Sequence, residues 1–164
     1  MYNSSIPILQ RYLSQLTGML VQAQEHLTVN ETDFLRSRLA PDMFPLWQQV
    51  LITISFSLRA SAPLAGCPIP QIDFHEKSFN QLHHDIQEAQ KFLTQLTPEQ
   101  FTANADAIIY HQAGQAVHEM SSSVYLQHYA LPNFFFHLTC VYAILRQQGV
   151  PLGKSDFDGF HQYN

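Results

Sequence analysis

The sequence predicts an all-α protein, a four-helix bundle that occupies residues 1–164 as one domain. Four segments repeat apolar residues every three or four positions, the spacing that lines up side chains on one face of a helix. Linkers that contain Pro and Gly separate these segments. A chain of 164 residues with 46 % hydrophobic content can bury a substantial core, and its long linkers allow a topology other than simple up-and-down.

The first two helices are predicted from their apolar faces. Residues 5–27 form the first, with a serine cap from "SSIP" and Pro7 in the first turn. A linker with a short helical turn follows and stops before Pro41. The second helix is predicted from Asp42 and fades before a Pro/Gly loop at residues 62–71. The two faces are Ile6, Leu9, Leu13, Leu16, Leu20, Ala23 and Leu27, and then Met43, Leu46, Trp47, Val50, Ile54 and Leu58.

A third helix is predicted between Ser78, which can cap it, and Thr97-Pro98. Residues 99–119 then lose the helical period. Residues that favour strands surround Ala113-Gly114, so this segment is predicted to be a small hairpin or an irregular excursion before the last helix. The apolar face of the third helix comprises Phe79, Leu82, Ile86, Ala89, Leu93 and Leu96.

The fourth helix is predicted from the serines at 121–123 to about Gln148, with Gly149 ending it. Pro132 lies inside this helix, where it removes a backbone N–H and predicts a kink. The tail from Val150 is rich in Gly, Asp and aromatic residues, a composition that predicts no helix.

Composition and charge exclude some classes of partner. A net charge of −5 and a pI near 5.9 disfavour nucleic acid, because the densest basic spot is only Arg36 and Arg38. The N-terminus lacks the pattern of a signal peptide. Cys67 and Cys140 form no spacing motif, so the protein is expected in a reducing compartment, the cytoplasm. No nucleophile elbow, Gly-rich phosphate loop, CxxC or HExxH motif is present in the sequence.

The segment between Glu119 and Arg146 is uncharged and long enough to cross a bilayer. It nevertheless contains several serines, Gln127, His128, Asn133 and His137, a large polar content for a lipid-facing helix. The sequence therefore predicts a buried core helix here and no membrane partner.

Asn133 and His137 are polar residues four positions apart at the centre of the predicted core face of the fourth helix. A buried amide or imidazole without a partner costs about 1–3 kcal/mol, so both side chains must find hydrogen bonds. From the second helix, Gln49 flanks the apolar face and Asp42 lies at the start. Tyr12 flanks the face of the first helix. These five residues are the predicted interior polar pocket.

Two interpretations of this pocket remain open. The first is a hydrogen-bonded network that sets how the helices pack. The second is a site for a small molecule or a metal inside the bundle, where such sites are commonly built. His137 is the strongest metal donor, and Asn133 and Gln49 are weaker amide ligands.

Two stretches of the chain resemble a known family. "RLAPDMFPLWQQV" at 38–50 and "ALPNFFFHLTCVYAILRQQGVPLGKSDF" at 130–157 are similar to a family of unknown function within the DinB/YfiT-like superfamily of four-helix bundles. The resemblance implies a DinB-like bundle with a long crossover between helices two and three, and often a homodimer.

In metal-binding members of that superfamily, a His on the second helix and an HxxxH pair on the fourth hold a divalent metal. For this chain the resemblance implies nickel or zinc as the candidate metal. Some of those proteins are thiol-dependent transferases or hydrolases. By this resemblance His137 matches the second His of the pair, Asn133 occupies the first position, and Gln48 or Gln49 stands where the second helix would supply a His. The expectation is a bundle that is non-catalytic or binds a small ligand. The alternative is a divalent-metal-dependent enzyme anchored by His137.

Overall fold

The four apolar faces form four long helices around a common core, in a computed structural model that describes residues 1–162. Within those residues the long helices are α1 (Ile6–Glu25), α3 (Leu46–Arg59), α4 (Phe79–Gln95) and α7 (Leu131–Gln147). The pair α3 and α7 has the most extensive contact, and α4 packs against both α1 and α3. The all-α four-helix bundle predicted from the sequence is confirmed.

The helix α1 buries the predicted face completely, from Ile6 to Ala23. Ser5 occupies its N-cap position, but the Ser5 hydroxyl donates back to the Met1 carbonyl at 3.0 Å and caps no helical N–H. The short turn predicted in the following linker is helix α2 (Glu31–Leu35). Asn30 caps α2 by accepting a hydrogen bond from the Asp33 N–H at 2.9 Å.

The predicted start of the second helix at Asp42 is wrong by four residues. The helix α3 begins at Leu46, with Pro45 at its N-cap. Proline disfavours helical backbone at the residue before it, and that prevents the helix from extending back through Phe44. The helix α3 ends at Arg59, and a long crossover leads from Ala60 to Ser78 through a 3₁₀ turn at Pro63–Ala65. Ser78 and Gln81 then form a capping box at the start of α4.

The segment that loses the helical period contains a short helix and a hairpin. After α5 (Pro98–Ala103), strand β1 (Ile108–Ala113) pairs antiparallel with β2 (Ala116–Ser121). In this register Tyr110 lies opposite Glu119 and His111 lies opposite His118. Gly114 has φ of +61° in the tight turn, a conformation that glycine adopts without strain. The predicted hairpin is confirmed.

The fourth helix has three consecutive parts. Ser121 caps α6 (Ser122–Val124), a π-helical segment follows at Tyr125–Ala130, and α7 continues to Gln147. The expected interruption near Pro132 takes the form of these wider turns, in which the Leu131 N–H donates to the Leu126 carbonyl, five residues back. Gly149, with φ of +88°, follows the end of the helix as predicted.

The tail contains a short helix that the sequence analysis did not predict, α8 (Lys154–Asp158). Asp156 stabilises this helix through two hydrogen bonds. One carboxylate oxygen accepts from the Gly153 N–H at 2.6 Å, and the other accepts from Gln22 Nε2 of α1 at 2.7 Å. This contact between elements outweighs an unfavourable composition. None of the helices in the described part of the chain combines the length and hydrophobicity needed to cross a membrane.

Candidate functional site

Gln49 and His137 meet where α3 packs against α7. The imidazole Nδ1 of His137 lies 2.7 Å from Oε1 of Gln49. Gln49 is 1 % exposed and His137 is 9 % exposed, so this hydrogen bond is shielded from water. Both residues belong to the pocket predicted from the sequence, and the structure brings them into direct contact.

The hydrogen bonds of Gln49 determine which imidazole nitrogen of His137 carries the proton. The Gln49 amide nitrogen donates to the Phe44 carbonyl at 3.4 Å, and a carbonyl can only accept. The Gln49 oxygen therefore faces His137 and accepts a hydrogen bond, which requires a proton on Nδ1. Nε2 is left with its lone pair.

Nε2 of His137 is accessible and has no protein partner within residues 1–162. The buried side-chain nitrogen and oxygen atoms without a hydrogen bond in that range are on His83 and Asp85, and His137 Nε2 is not among them. It therefore keeps contact with the solvent. The site presents one hydrogen-bond acceptor on a side chain that is otherwise enclosed.

Aromatic rings enclose the imidazole. Phe56 of α3 is stacked on it, with ring centroids 5.7 Å apart and planes 14° apart. Phe136 lies edge-on at 5.1 Å and is 55 % exposed, so it marks the side of the site that faces the solvent. Burial lowers the pKa of His137 from 6.5 to about 4. The side chain is therefore neutral at pH 7 and acts as an acceptor rather than as a cation.

Asn133 bonds within its own helix. The Asn133 amide donates to the Tyr129 carbonyl at 2.8 Å, and the residue is only half-buried. The partner carbonyl belongs to the π-helical segment, where the backbone bonding pattern changes. The two polar residues predicted to share a pocket therefore have different partners. His137 bonds to another helix, whereas Asn133 bonds to the irregular turn before α7.

Replacing Asn133 with Ala should reduce the free energy of unfolding by about 1 kcal/mol, because the side-chain hydrogen bond to the Tyr129 carbonyl is lost. Chemical denaturation of the wild type and the variant measures this difference. The variant Asn104→Ala is the matched comparison, because it removes a similar bond of 2.8 Å, from the Asn104 amide to the Gln100 carbonyl of α5. A variant Asn133→Ala as stable as the wild type would show that the bond contributes nothing.

The other two predicted pocket residues lie elsewhere. Asp42 is exposed in the turn before α3. Tyr12 packs edge-on against Phe135 at 4.8 Å and against Phe157 at 5.7 Å, in an aromatic cluster between α1, α7 and α8. No hydrogen bond within residues 1–162 joins Asp42 or Tyr12 to His137.

A second buried histidine lies close to the site and was not predicted to belong to it. His111 of β1 is 7 % exposed, and its Nε2 lies 2.8 Å from the Tyr129 hydroxyl. Tyr129 also contacts Phe56, so the aromatic contacts run from His137 through Phe56 and Tyr129 to His111. The alternation of Ile109 and His111 along a strand, both facing inward, is the sequence signal that could have identified this residue. Burial, and then the charge of Arg59, lower the pKa of His111.

The donors near His137 are poorly suited to a tightly held metal. Across residues 1–162, no three His, Cys, Asp or Glu side chains gather closely enough to hold an ion. At the site itself the Gln49 oxygen already accepts from His137, and Asn133, whose nitrogen donates to the Tyr129 carbonyl, offers only a neutral amide oxygen. The imidazole Nε2 is the strongest ligand atom that the site offers.

Four long helices with a long crossover between the second and the third are the arrangement of a DinB-like helical bundle. The crystal structure of a DinB family member protein from Shewanella denitrificans is similar to this protein, with a TM-score of 0.89 and 28 % sequence identity. That similarity covers 99 % of this chain and 94 % of the other. The chain belongs to the family described as domain of unknown function DUF1993, whose model matches residues 1–158. A comparison with curated proteins finds no match.

Proposed function

We propose that this protein is a non-catalytic binding protein that holds a small polar molecule at His137. The observation that supports the proposal is the hydrogen bond from His137 Nδ1 to Gln49, because it leaves Nε2 as an acceptor with no protein partner. A ligand that donates one hydrogen bond to Nε2 would satisfy the imidazole.

The surroundings favour a neutral ligand with an aromatic or planar body. Phe56 and Phe136 supply ring surfaces beside the imidazole, and planar groups pack well on such rings. The low pKa of His137 argues against a role as general base, because a base with a pKa of about 4 gains little by accepting a proton at pH 7. Binding through an oriented acceptor needs no proton transfer.

Phenol and benzamide are suitable probes, since each joins an N–H or O–H donor to a ring, and anisole is the matched compound without a donor. We expect phenol or benzamide to shift the ¹⁵N resonance of His137 Nε2 at millimolar concentration, and anisole to have little effect. Calorimetry with His137→Asn should show a dissociation constant raised about tenfold, as expected for one lost hydrogen bond. His84→Asn, at an exposed position on α4, is the control. Equal affinity in wild type and His137→Asn would contradict the proposal.

The alternative is a divalent-metal-dependent enzyme in which His137 Nε2 is the anchoring ligand. One observation favours it: metal-binding histidines usually donate their other ring N–H to an oxygen that orients the ring, as His137 does to Gln49. The remaining donors do not fit tight binding, because the Gln49 oxygen already accepts from His137 and Asn133 offers only a neutral amide oxygen. Metal analysis of protein purified without a nickel column decides between the two proposals. Stoichiometric nickel or zinc that is lost in His137→Ala would favour the enzyme.

We also propose that the protein is a homodimer in the cytoplasm. The superfamily resemblance supports a homodimer, and sedimentation at high concentration tests it against an 18.8 kDa monomer. A cytoplasmic location follows from the expectation of a reducing compartment for Cys67 and Cys140, and cell fractionation tests it.

A further inference from the structure

A second site lies where the crossover segment passes over α3. A cavity of about 330 Å³ opens there between the helix and residues 69–74. Its polar side chains are Ser55, Arg59 and Gln71, and Ile69 and Phe74 supply exposed apolar surface. Ser55 and Arg59 are four residues apart on α3, so they lie on the same face of the helix.

Arg59 is a half-buried cation with no anionic partner. Within residues 1–162 its guanidinium forms no ion pair and no hydrogen bond, and it lies over the Phe56 ring at 5.5 Å. By contrast, Arg36 is paired with Glu76 at 2.8 Å and Lys77 with Asp85 at 3.4 Å. A guanidinium has five N–H donors in a planar fork that suits a carboxylate or a phosphate.

The other polar side chains of the cavity are also available. Neither Ser55 nor Gln71 makes a side-chain hydrogen bond in the part of the chain that the structure describes. The hydroxyl and the amide can both donate to an anion bound at Arg59. The cavity thus offers three side chains with unused donors.

Arg59 is the one charged side chain that lines this cavity among the described residues. Burial is the largest cause that lowers the pKa of His111, and the charge of Arg59 is the second. The positive charge of Arg59 therefore acts as far as the hairpin. The nearest acidic residue along the segment is Asp73, but it lines the neighbouring cavity and pairs with His75 at 2.8 Å. No carboxylate lines the cavity at Arg59 itself.

We propose that this cavity binds a small organic oxyanion, a carboxylate or a phosphate monoester, with Arg59 holding the anionic group and Ile69 and Phe74 contacting an apolar body. This site goes beyond the function proposed for His137 and depends on different residues. The Phe56 ring lies between the two, since it contacts both the guanidinium and the imidazole.

Four probes separate the parts of this proposal. Phenylacetate and phenyl phosphate carry the anion and the ring, 2-phenylethanol carries only the ring, and inorganic phosphate carries only the charge. We expect the two aromatic anions to bind most tightly in calorimetry and to shift the amide resonances of Ser55, Arg59 and Gln71. Whichever of the two binds more tightly identifies the anionic group.

Arg59→Gln should raise the dissociation constant of the tighter aromatic anion by at least about tenfold, because a charge-assisted contact is lost. Arg11→Gln is the matched control, since Arg11 also lies over an aromatic ring, that of Phe160 at 4.0 Å, and should leave the affinity unchanged. His137→Asn should also leave it unchanged, which distinguishes this site from the one at His137.

A second pair of variants keeps the test independent of the packing of α3. Phe74 is 48 % exposed, so Phe74→Glu and Phe74→Gln should both fold. The glutamate variant should bind the anion at least about tenfold more weakly than the glutamine variant, because it places a like charge in the cavity. Equal affinity in these two variants, undiminished binding in Arg59→Gln, or binding of 2-phenylethanol as tight as that of phenylacetate would each overturn the proposal.

Discussion

Acidification should destabilise the wild-type protein far more than a variant that lacks the imidazole at position 137. The pKa of His137 is about 4 in the folded protein and 6.5 in the absence of burial. Between these values the unfolded chain binds a proton that the folded chain does not, so stability falls as the pH falls through this window. The loss from this residue amounts to up to about 3 kcal/mol at pH 4 and is absent above about pH 7.

The variant His137→Asn isolates this effect, since an asparagine amide can still donate to Gln49 but does not titrate. Urea denaturation at a series of pH values gives the free energy of unfolding for both proteins. Burial also lowers the pKa of His83 and His111, but those residues contribute equally to both proteins and cancel in the difference. His84→Asn, at an exposed position, should follow the wild-type pH dependence. Parallel pH profiles for the wild type and His137→Asn would contradict the assignment of a buried, neutral imidazole.

Introducing histidines at positions 49 and 133 should create a metal site where the wild-type chain has amides. The side chains at 49 and 137 already touch across α3 and α7, and position 133 is one helical turn before 137. Three neutral imidazoles match the preference of nickel and zinc for nitrogen ligands. At a metal concentration about 100-fold above the dissociation constant, binding adds about 2.7 kcal/mol of stability, which should raise the Tm by about 5–10 °C.

The matched control moves one of the introduced histidines by a single residue. Gln48→His combined with Asn133→His has the same composition, but position 48 is rotated by about 100° around α3. We expect the double variant at 49 and 133 to gain thermal stability with Ni²⁺ or Zn²⁺ and to lose that gain with a chelator, whereas the control gains little. An equal response from both would show that the gain does not depend on the contact between positions 49 and 137.

The helices were predictable because a repeat of three and four residues is a local property of the chain. The buried residues of α1 and α4 follow the predicted series almost without exception. The errors occurred where a single residue or a distant contact determines the structure. Pro45 shortens α3 at its start, and the bond between Gln22 and Asp156 supports α8 against its composition.

The apolar period places Asn133 at the centre of the core face of the fourth helix, and the structure shows a different centre. The fully buried residues from position 130 to position 145 are Ala130, Phe134, Leu138, Val141, Ile144 and Leu145, so the centre of the face passes about one residue beyond Asn133. Asn133 and His137 therefore lie toward one edge. Because this segment contains many phenylalanines and leucines, its apolar residues allow more than one centre for the buried face. The packing of α3 against α7 determines which centre the structure adopts.

The sequence by itself determined that this chain forms a helical bundle and that its fourth helix buries an imidazole, because both follow from the spacing of apolar residues along single helices. Only the tertiary structure decided which amide meets that imidazole. Gln49 and His137 are 88 residues apart along the chain, and their contact exists because two helices pack together. That packing determines which ring nitrogen carries the proton, and hence that Nε2 is the atom available to a ligand.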